Sequence, residues 1–72
     1  MNKLELLRTF VRVTELSSFT QAGESLGLPR STVSEHVQAL EALLGARLLQ
    51  RTTRTVQATQ DGRVLYERSK DL

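Results

Sequence analysis

Apolar residues recur at helical spacing over the first part of the chain. One stripe has members three or four positions apart, further apolar residues widen it, and charged residues fall on the other side. The stripe is Leu4, Leu7, Val11 and Thr14, widened by Leu6, Phe10 and Val13; the charged residues are Glu5, Arg8, Arg12 and Glu15. This pattern predicts an amphipathic helix over residues 3–15 that ends at residues 17–18.

A second, shorter helix is predicted over residues 20–26. Ser18, followed three positions later by Gln21, matches a capping box, in which side chains bind the free amides at a helix start. Gly27 suits the left-handed position that ends a helix. Gly23 lies inside the helix, where glycine costs about 1 kcal/mol relative to alanine. We therefore expect another helix to approach closely at Gly23.

A third helix is predicted from near Pro29 to Leu44, after a turn of only three residues. Two helices joined by a tight turn that contains glycine are typical of a helix-turn-helix. Leu28 in the turn is expected to plug the core, and His36 to lie at the edge of the buried stripe. The predicted stripe is Val33, Val37, Leu40 and Leu44; the opposite face carries Ser31, Thr32, Glu35 and Gln38, with Ser34 on its flank.

The periodicity changes after Gly45. Residues 48–51 and 55–59 are rich in β-formers, with Thr52, Thr53 and Arg54 between them, which predicts a small hairpin, or wing. A fourth helix is predicted to start near residue 59 or 60. Its pattern is Val64, Leu65, Arg68 and Leu72. Because the sequence stops in the middle of this pattern, we expect it to be part of a longer protein.

Size and composition exclude several classes of function. The chain has 72 residues, no cysteine and one histidine, which argues for one small domain without disulfides or a zinc site. Its apolar runs are too short to span a membrane, and charges interrupt its first apolar segment, unlike a signal peptide. A cytoplasmic location is the default expectation, and no cofactor or metal is expected.

Positive charge is concentrated in one segment. The formal net charge is only +2. The excess of positive charge lies in residues 30–56, which contain four arginines and only two acidic residues, Glu35 and Glu41. These arginines are Arg30, Arg47, Arg51 and Arg54. A basic segment on an otherwise balanced domain suits a polyanionic partner. The alternative is a solvated loop whose arginines serve solubility.

The sequence fits two other classes of function less well. An enzyme is not expected, because Ser34 and His36 are two residues apart on a helix and so point apart, without an orienting acid. A winged-helix module that binds proteins is the second alternative. Such a module would more often expose an apolar patch than a basic segment.

The predicted elements and motifs together resemble a known family. The order is an amphipathic helix, then "SSFTQAGESLGL" at residues 17–28, then "PRSTVSEHVQALEALLGARLLQRTTRTVQATQDG" at residues 29–62. This closely resembles the N-terminal DNA-binding domain of LysR-type transcriptional regulators. The most specific part is the wing, with Arg51, Arg54, Val56, Thr59 and Gly62 in register.

The resemblance implies a mainly α fold, a winged helix-turn-helix over residues 1–59, followed by the start of a linker helix over residues 60–72. It implies that the third helix enters the major groove of duplex DNA and that the wing contacts the backbone or minor groove. The linker helix would pair two subunits on an inverted-repeat operator. It also implies an absent effector-binding domain, a bacterial nucleoid location and RNA polymerase as a partner of the full-length protein.

Five positions depart from the family pattern. Arg30 and Ser31 stand where glutamine and proline are common, and Glu35 stands where arginine is common, so the surface that reads DNA differs. Leu49 and Ala58 replace a common phenylalanine and leucine, which reduces the core under the wing.

The candidate site residues follow from these patterns. The DNA-binding candidates are Thr20, Arg30, Ser31, Thr32, Ser34, Glu35, Gln38, Arg51 and Arg54, and the dimerisation candidates are Val64, Leu65, Arg68 and Leu72. Three interpretations of Glu35 are open. It could complete a capping box with Thr32, accept a hydrogen bond from a cytosine amino group, or pair with an arginine such as Arg30 and moderate non-specific affinity for DNA.

Overall fold

The computed structural model describes residues 2–51 and 56–71. Within them lie four helices and one antiparallel pair of strands, which is the mainly α winged helix-turn-helix that was predicted. The elements are α1 (Lys3–Leu16), α2 (Phe19–Leu26), α3 (Arg30–Leu44), β1 (Leu49–Arg51), β2 (Val56–Ala58) and α4 (Gln60–Ser69). The predicted wing turn at residues 52–54, Thr55 and Leu72 lie outside the described residues.

The helix boundaries are set by caps that the sequence carries locally. The Ser18 hydroxyl accepts from the Gln21 amide at 3.0 Å at the start of α2, as expected of a serine cap. Gly27 and Gly45 end α2 and α3 with φ of 71° and 64°, a conformation that glycine adopts without steric cost. Ser17 ends α1 in the same left-handed region, with φ of 52°.

The buried face of α1 is rotated from the predicted stripe. Leu6, Phe10 and Val13, which widened the predicted stripe, are buried together with Thr9, whereas Leu4 is 47% exposed. Thr9 tolerates burial because its hydroxyl donates to the Glu5 carbonyl at 3.0 Å and is 2.8 Å from His36 Nδ1. Since a hydroxyl has one proton, Thr9 accepts from an Nδ1–H of His36 in this arrangement. The polar Thr9 was therefore the missed core position.

The buried face of α3 follows the prediction except at its end. Val33, Val37 and Leu40 are buried, and His36 packs beside them at 9% exposure, as expected. The prediction that Leu44 is buried was wrong, because Leu44 is 51% exposed. Leu48 and Leu49, which follow the turn, fill the core instead, with exposures of 1% and 3%.

The tight turn of the helix-turn-helix depends on Gly23. A Cβ at this position would lie 2.6 Å from the Leu28 carbonyl oxygen and 3.5 Å from Val33 Cγ2. The close approach that was predicted is thus made mainly by the backbone of the turn, and only secondly by α3. The Leu28 amide donates to the Gly23 carbonyl at 2.9 Å, and the Leu28 side chain packs against the core as expected.

Helix α4 is fastened to the segment that precedes the wing. The Thr59 amide donates to the Leu48 carbonyl at 3.0 Å, and the Thr59 hydroxyl donates to the Arg47 carbonyl at 2.6 Å. The same hydroxyl caps α4 by accepting from the Gly62 amide at 3.0 Å. Gly62 is buried, and a Cβ there would collide with the Leu48 carbonyl oxygen.

The other end of α4 lies on α1. The Tyr66 hydroxyl donates to Glu15 Oε2 at 3.4 Å. Partial burial, and then the Glu15 carboxylate, raise the pKa of the Tyr66 phenol, so the phenol remains a neutral donor near pH 7. No helix in residues 2–51 and 56–71 is long and apolar enough to cross a membrane.

Gly62→Ala is expected to destabilise the fold by roughly 1–3 kcal/mol, because the added methyl group overpacks a site closed by backbone. The higher helix propensity of alanine, worth about 1 kcal/mol over glycine, would act in the opposite direction. Arg63→Ala is the control, since Arg63 is exposed on the same turn and should change stability by no more than about 0.5 kcal/mol. Urea unfolding measures both; equal stabilities for the two variants would contradict the close packing.

Candidate nucleic-acid interface

The outward face of α3 presents short polar side chains. Ser31, Glu35 and Gln38 are exposed, whereas Thr32 and Ser34 are half-buried. This exposure follows from the helical period, because Val33 and Val37 on the opposite side are buried in the core. Five of the predicted site residues therefore share one accessible surface.

The start of α3 adds donors to this surface. Pro29 precedes the helix, and no side chain caps its first turn. The first helical hydrogen bond is donated by the Val33 amide to the Pro29 carbonyl at 3.1 Å, so the amides of residues 30–32 come before the helical ladder. Such amides carry partial positive charge and suit anions. Arg30 and Thr20 are both exposed.

Glu35 is not a capping residue. Because α3 begins at Arg30 with Pro29 as its N-cap, Thr32 lies inside the helix, and the capping-box interpretation was wrong. Glu35 is exposed, and within residues 2–51 and 56–71 it forms no ion pair of 4.0 Å or less. The interpretations that involve a cytosine amino group or a moderating negative charge stay predictions.

The Arg51 side chain extends from the wing toward α2 and α3. Its Cζ lies 4.2 Å from the centroid of the Phe19 ring, which is within the range of a cation–π contact. Its Nη2 donates to Ser34 Oγ at 2.7 Å. Two of the predicted site residues, Ser34 and Arg51, are thus in direct contact. Arg54 and the predicted tip lie in the part of the chain that is not described.

Glu41 has a structural role that the sequence analysis missed. Its Oε2 accepts from the amides of Leu48 and Leu49 at 2.8 and 3.3 Å and lies 4.0 Å from Arg47 Nε. Glu41 is therefore the acceptor for the backbone that leads into β1, and its charge is directed inward. The sequence does contain a signal for this role: Glu41 lies in the last turns of a predicted helix, directly before a short loop whose amides need acceptors.

Arg47 is the most exposed partner in this cluster. Its side chain is 72% exposed, and its Nε donates to the Leu49 carbonyl at 3.2 Å. An ion pair at 4.0 Å with so much exposure contributes little stability. Because Glu41 is committed to the backbone, Glu35 is the acid of residues 30–51 that stays on the outward face.

The histidine and the neighbouring serine form no catalytic pair. His36 Nδ1 contacts Thr9 in the core, whereas Ser34 Oγ contacts Arg51 at the surface. Among the residues that the structure describes, no group of three or more histidine, aspartate or glutamate side chains is placed to hold a metal ion.

These elements define a winged helix-turn-helix domain: two helices joined by a three-residue turn, an outward polar face on the second of them, and a strand pair that follows. The family model of the bacterial regulatory helix-turn-helix proteins of the LysR family matches residues 4–63. The chain therefore belongs to the LysR family of transcriptional regulators, as the resemblance implied.

Similar proteins include regulators and DNA complexes. The uncharacterized HTH-type transcriptional regulator YhjC of Escherichia coli is 46% identical over 72 residues, all of this chain and 24% of YhjC. The BenM DNA-binding domain in complex with catB site 1 DNA is 37% identical, with a TM-score of 0.92, over 97% of this chain and 78% of that chain.

A third similar structure is Corynebacterium glutamicum OxyR, a C206S mutant bound to H2O2. It is 35% identical, with a TM-score of 0.93, over 99% of this chain and 22% of that chain. The chain spans about a quarter of the length of the curated relatives that it matches.

Proposed function

We propose that this chain binds duplex DNA sequence-specifically, as the DNA-binding domain of a LysR-type transcriptional regulator, with α3 in the major groove. The observation that carries the proposal is the outward face of α3. It combines exposed hydrogen-bonding side chains with an uncapped helix start beside Arg30. The similarity to the BenM domain, which was solved as a DNA complex, supports the binding of duplex DNA.

Contacts to phosphates would position the domain. The amides at the start of α3, the guanidinium of Arg30 and the hydroxyls of Thr20 and Ser31 are donors at the edge of the proposed groove-facing surface. Such donors fix the register of a protein on DNA but carry no sequence information. Arg54 is proposed to enter a narrow minor groove, where the negative potential is enhanced.

Base recognition would come from the middle of the outward face. Thr32, Glu35 and Gln38 lie there, and the Ser34 hydroxyl lies on its flank. A threonine methyl group can contact the methyl group of thymine, and a glutamine can bind adenine through two hydrogen bonds. Short side chains also allow the helix backbone to approach the bases closely.

The DNA-binding proposal predicts a strong dependence on salt. Raising the salt concentration from about 50 to 200 mM should weaken binding to a duplex by at least about tenfold, because bound arginines release counterions from the phosphates. Arg30→Gln should lower the slope of log affinity against log salt by about one. Fluorescence titration with a labelled duplex measures both quantities.

Arg12→Gln is the matched control for this titration. Arg12 lies on α1 and is paired with Glu15 at 3.5 Å, so its loss should leave the salt slope unchanged. Affinity that does not respond to salt would contradict the DNA-binding proposal.

Glu35→Gln is expected to relax the preference for one base pair, because an amide both donates and accepts where a carboxylate only accepts. The loss of discrimination should be about 1–3 kcal/mol if Glu35 accepts from a cytosine amino group. Selection of binding sites from a random duplex library measures the preference. Glu24→Gln is the control, because Glu24 is exposed on α2.

Two results would count against a base contact by Glu35. Tighter binding of Glu35→Gln to every sequence would assign Glu35 the role of a moderating charge. An unchanged base preference and affinity would remove it from the interface.

We infer that a second copy pairs through α4. Val64 is 49% exposed and Arg68 is exposed, while Leu65 borders an apolar groove between α1, α3 and α4. The leucines that line this groove with Leu65 are Leu7, Leu40, Leu43 and Leu44. Leu43 and Leu44 are 58% and 51% exposed, so the uncovered apolar surface extends beyond α4 itself. Leu72 was predicted to belong to this surface and lies outside the described residues.

The apolar surface also bears on the alternative of a protein-binding module. Leu43 lies twelve residues after Ser31 on α3, roughly 18 Å along the helix at 1.5 Å per residue. The apolar groove and the proposed DNA-binding face are therefore separate surfaces, and a second copy accounts for the groove. Pairing would place two α3 helices on successive major grooves, about 34–36 Å apart, and so select an inverted repeat.

Pairing is expected to be weak without DNA. The described α4 has 10 residues, below the ~12–15 that give a stable isolated helix. Sedimentation should show mainly monomer for the free chain, and a dimer on a duplex with two half-sites, since the DNA raises the effective concentration. Val64→Asp should abolish cooperative binding to two half-sites while single-site binding persists. A tight dimer without DNA, or non-cooperative binding, would contradict this proposal.

The remaining proposals concern the whole protein. We infer that residues 1–59 form the DNA-binding unit and residues 60–72 the start of a linker helix, followed by an effector-binding domain. RNA polymerase is the proposed partner of the full-length regulator. Because duplex DNA is its proposed target, we place the protein with the nucleoid in the cytoplasm.

A further inference from the structure

The guanidinium of Arg51 connects three elements of the proposed interface. Arg51 is the last residue of β1, its Cζ lies 4.2 Å from the centroid of the Phe19 ring, and its Nη2 donates to Ser34 Oγ at 2.7 Å. Phe19 is the first residue of α2, and Ser34 lies in the second turn of α3. One cation therefore joins the base of the wing to both helices of the helix-turn-helix.

These two contacts restrict the orientation of the guanidinium. The Phe19 ring is 4% exposed, so the core fixes the surface on which the cation rests. The hydrogen bond is at the short end of the range for N–H···O contacts and is strengthened by the charge of its donor. Ser34 Oγ thus receives its hydrogen bond from a defined direction.

This hydrogen bond determines which role is left for Ser34. A serine hydroxyl has one proton and two lone pairs, whereas a guanidinium carries donors only. Ser34 must therefore accept from Arg51, and its own proton is free of that contact. Because Ser34 is half-buried on the flank of the outward face, a group outside the protein can accept this proton.

We infer that Arg51 is a positioning residue that presents Ser34 to DNA as a hydrogen-bond donor. Ser34 then selects an acceptor atom: a phosphate oxygen, or the N7, O6 or O4 atom that purines and thymine expose in the major groove. The amino group of cytosine, which is a donor, does not match. This inference rests on the proposed function, because it requires α3 in the groove.

A simpler role for Arg51 would be a contact to phosphate alone. Lysine also binds phosphate as a point charge, but it lacks the planar group with several fixed donors. Arg51→Lys therefore keeps the positive charge and removes the planar group with its fixed hydrogen-bond donors. Arg30→Lys is the matched control, because Arg30 is an exposed arginine at the start of α3 that is proposed to contact phosphate.

The first experiment compares these two variants on a duplex selected by the unmodified chain and on a random duplex. Arg51→Lys should bind the selected duplex about tenfold more weakly, the equivalent of one lost contact, while its salt slope stays that of the unmodified chain. This loss should be confined to the selected duplex if the acceptor is a base atom and should extend to the random duplex if it is a phosphate oxygen. Arg30→Lys should keep the affinity for both duplexes and the slope. Equal changes in affinity for the two lysine variants would overturn the inference.

The second experiment tests whether Ser34 acts through Arg51. Ser34→Ala should weaken binding to the selected duplex by about tenfold in the unmodified chain, but by less than about threefold in the Arg51→Lys background. An equal effect in both backgrounds would show that Ser34 and Arg51 act independently and would overturn the inference.

The third experiment identifies the acceptor. Base analogues that each remove one N7, O6 or O4 atom, and methylphosphonates that each neutralise one phosphate, are placed singly in the selected duplex. One replacement should weaken binding by the unmodified chain but not binding by the Ser34→Ala variant. The position of that replacement tells whether the acceptor belongs to a base or to the DNA backbone. If no single replacement behaves in this way, the donor role of Ser34 is wrong.

A measurement on the free chain separates the inference from the proposed function. The ring current of Phe19 should shift the side-chain protons of Arg51 upfield in the proton spectrum, and Phe19→Leu should remove this shift. An unshifted Arg51 would overturn the inference whatever the chain does with DNA. Failure of the unmodified chain to bind any duplex would instead overturn the proposed function.

Discussion

The backbone of Leu48 is the point on which the arrangement of the domain depends. Its amide donates to the Glu41 carboxylate at the end of α3, and its carbonyl accepts from the Thr59 amide at the start of α4. Its side chain is 1% exposed in the core. One residue thus connects α3, the start of the wing and α4. An unpaired buried amide or carbonyl costs about 1–3 kcal/mol. Loss of either hydrogen bond would therefore destabilise the connection between α3 and α4 at Leu48.

Local signals predicted the elements, and contacts distant in sequence decided their details. The serine cap of α2, the glycines that end α2 and α3, and the β-formers of the wing act over a few residues, and the sequence shows them directly. The contact between Thr9 and His36 spans 27 positions, so no local pattern in α1 indicates that the polar Thr9 is a core residue. The predicted stripe of α1 contained the buried residues Leu6, Phe10 and Val13, but its centre lay too far toward the exposed Leu4.

The same distinction applies to the candidate site. The outward face of α3 follows from its period, so Ser31, Glu35 and Gln38 could be predicted as a group. The hydrogen bond between Arg51 and Ser34 spans 17 positions and depends on how the wing returns to the helices, which no local pattern reveals. The commitment of Glu41 to backbone amides likewise depends on the path of the chain after Gly45. The number of charges in residues 30–56 does not distinguish Glu41 from Glu35, although of these two only Glu35 faces outward.

This distribution of charge bears on how such a domain can combine affinity with selectivity. Its outward face carries hydroxyls, an amide and one carboxylate, and arginines lie at its edges, at Arg30 and Arg51. Phosphate contacts supply most of the affinity of a DNA-binding protein and base contacts supply its discrimination. A surface with few cations and several neutral donors and acceptors favours discrimination over affinity. In the proposed pair, two such domains on one duplex would add their phosphate contacts, and pairing would supply the affinity that the outward face of α3 in a single domain lacks.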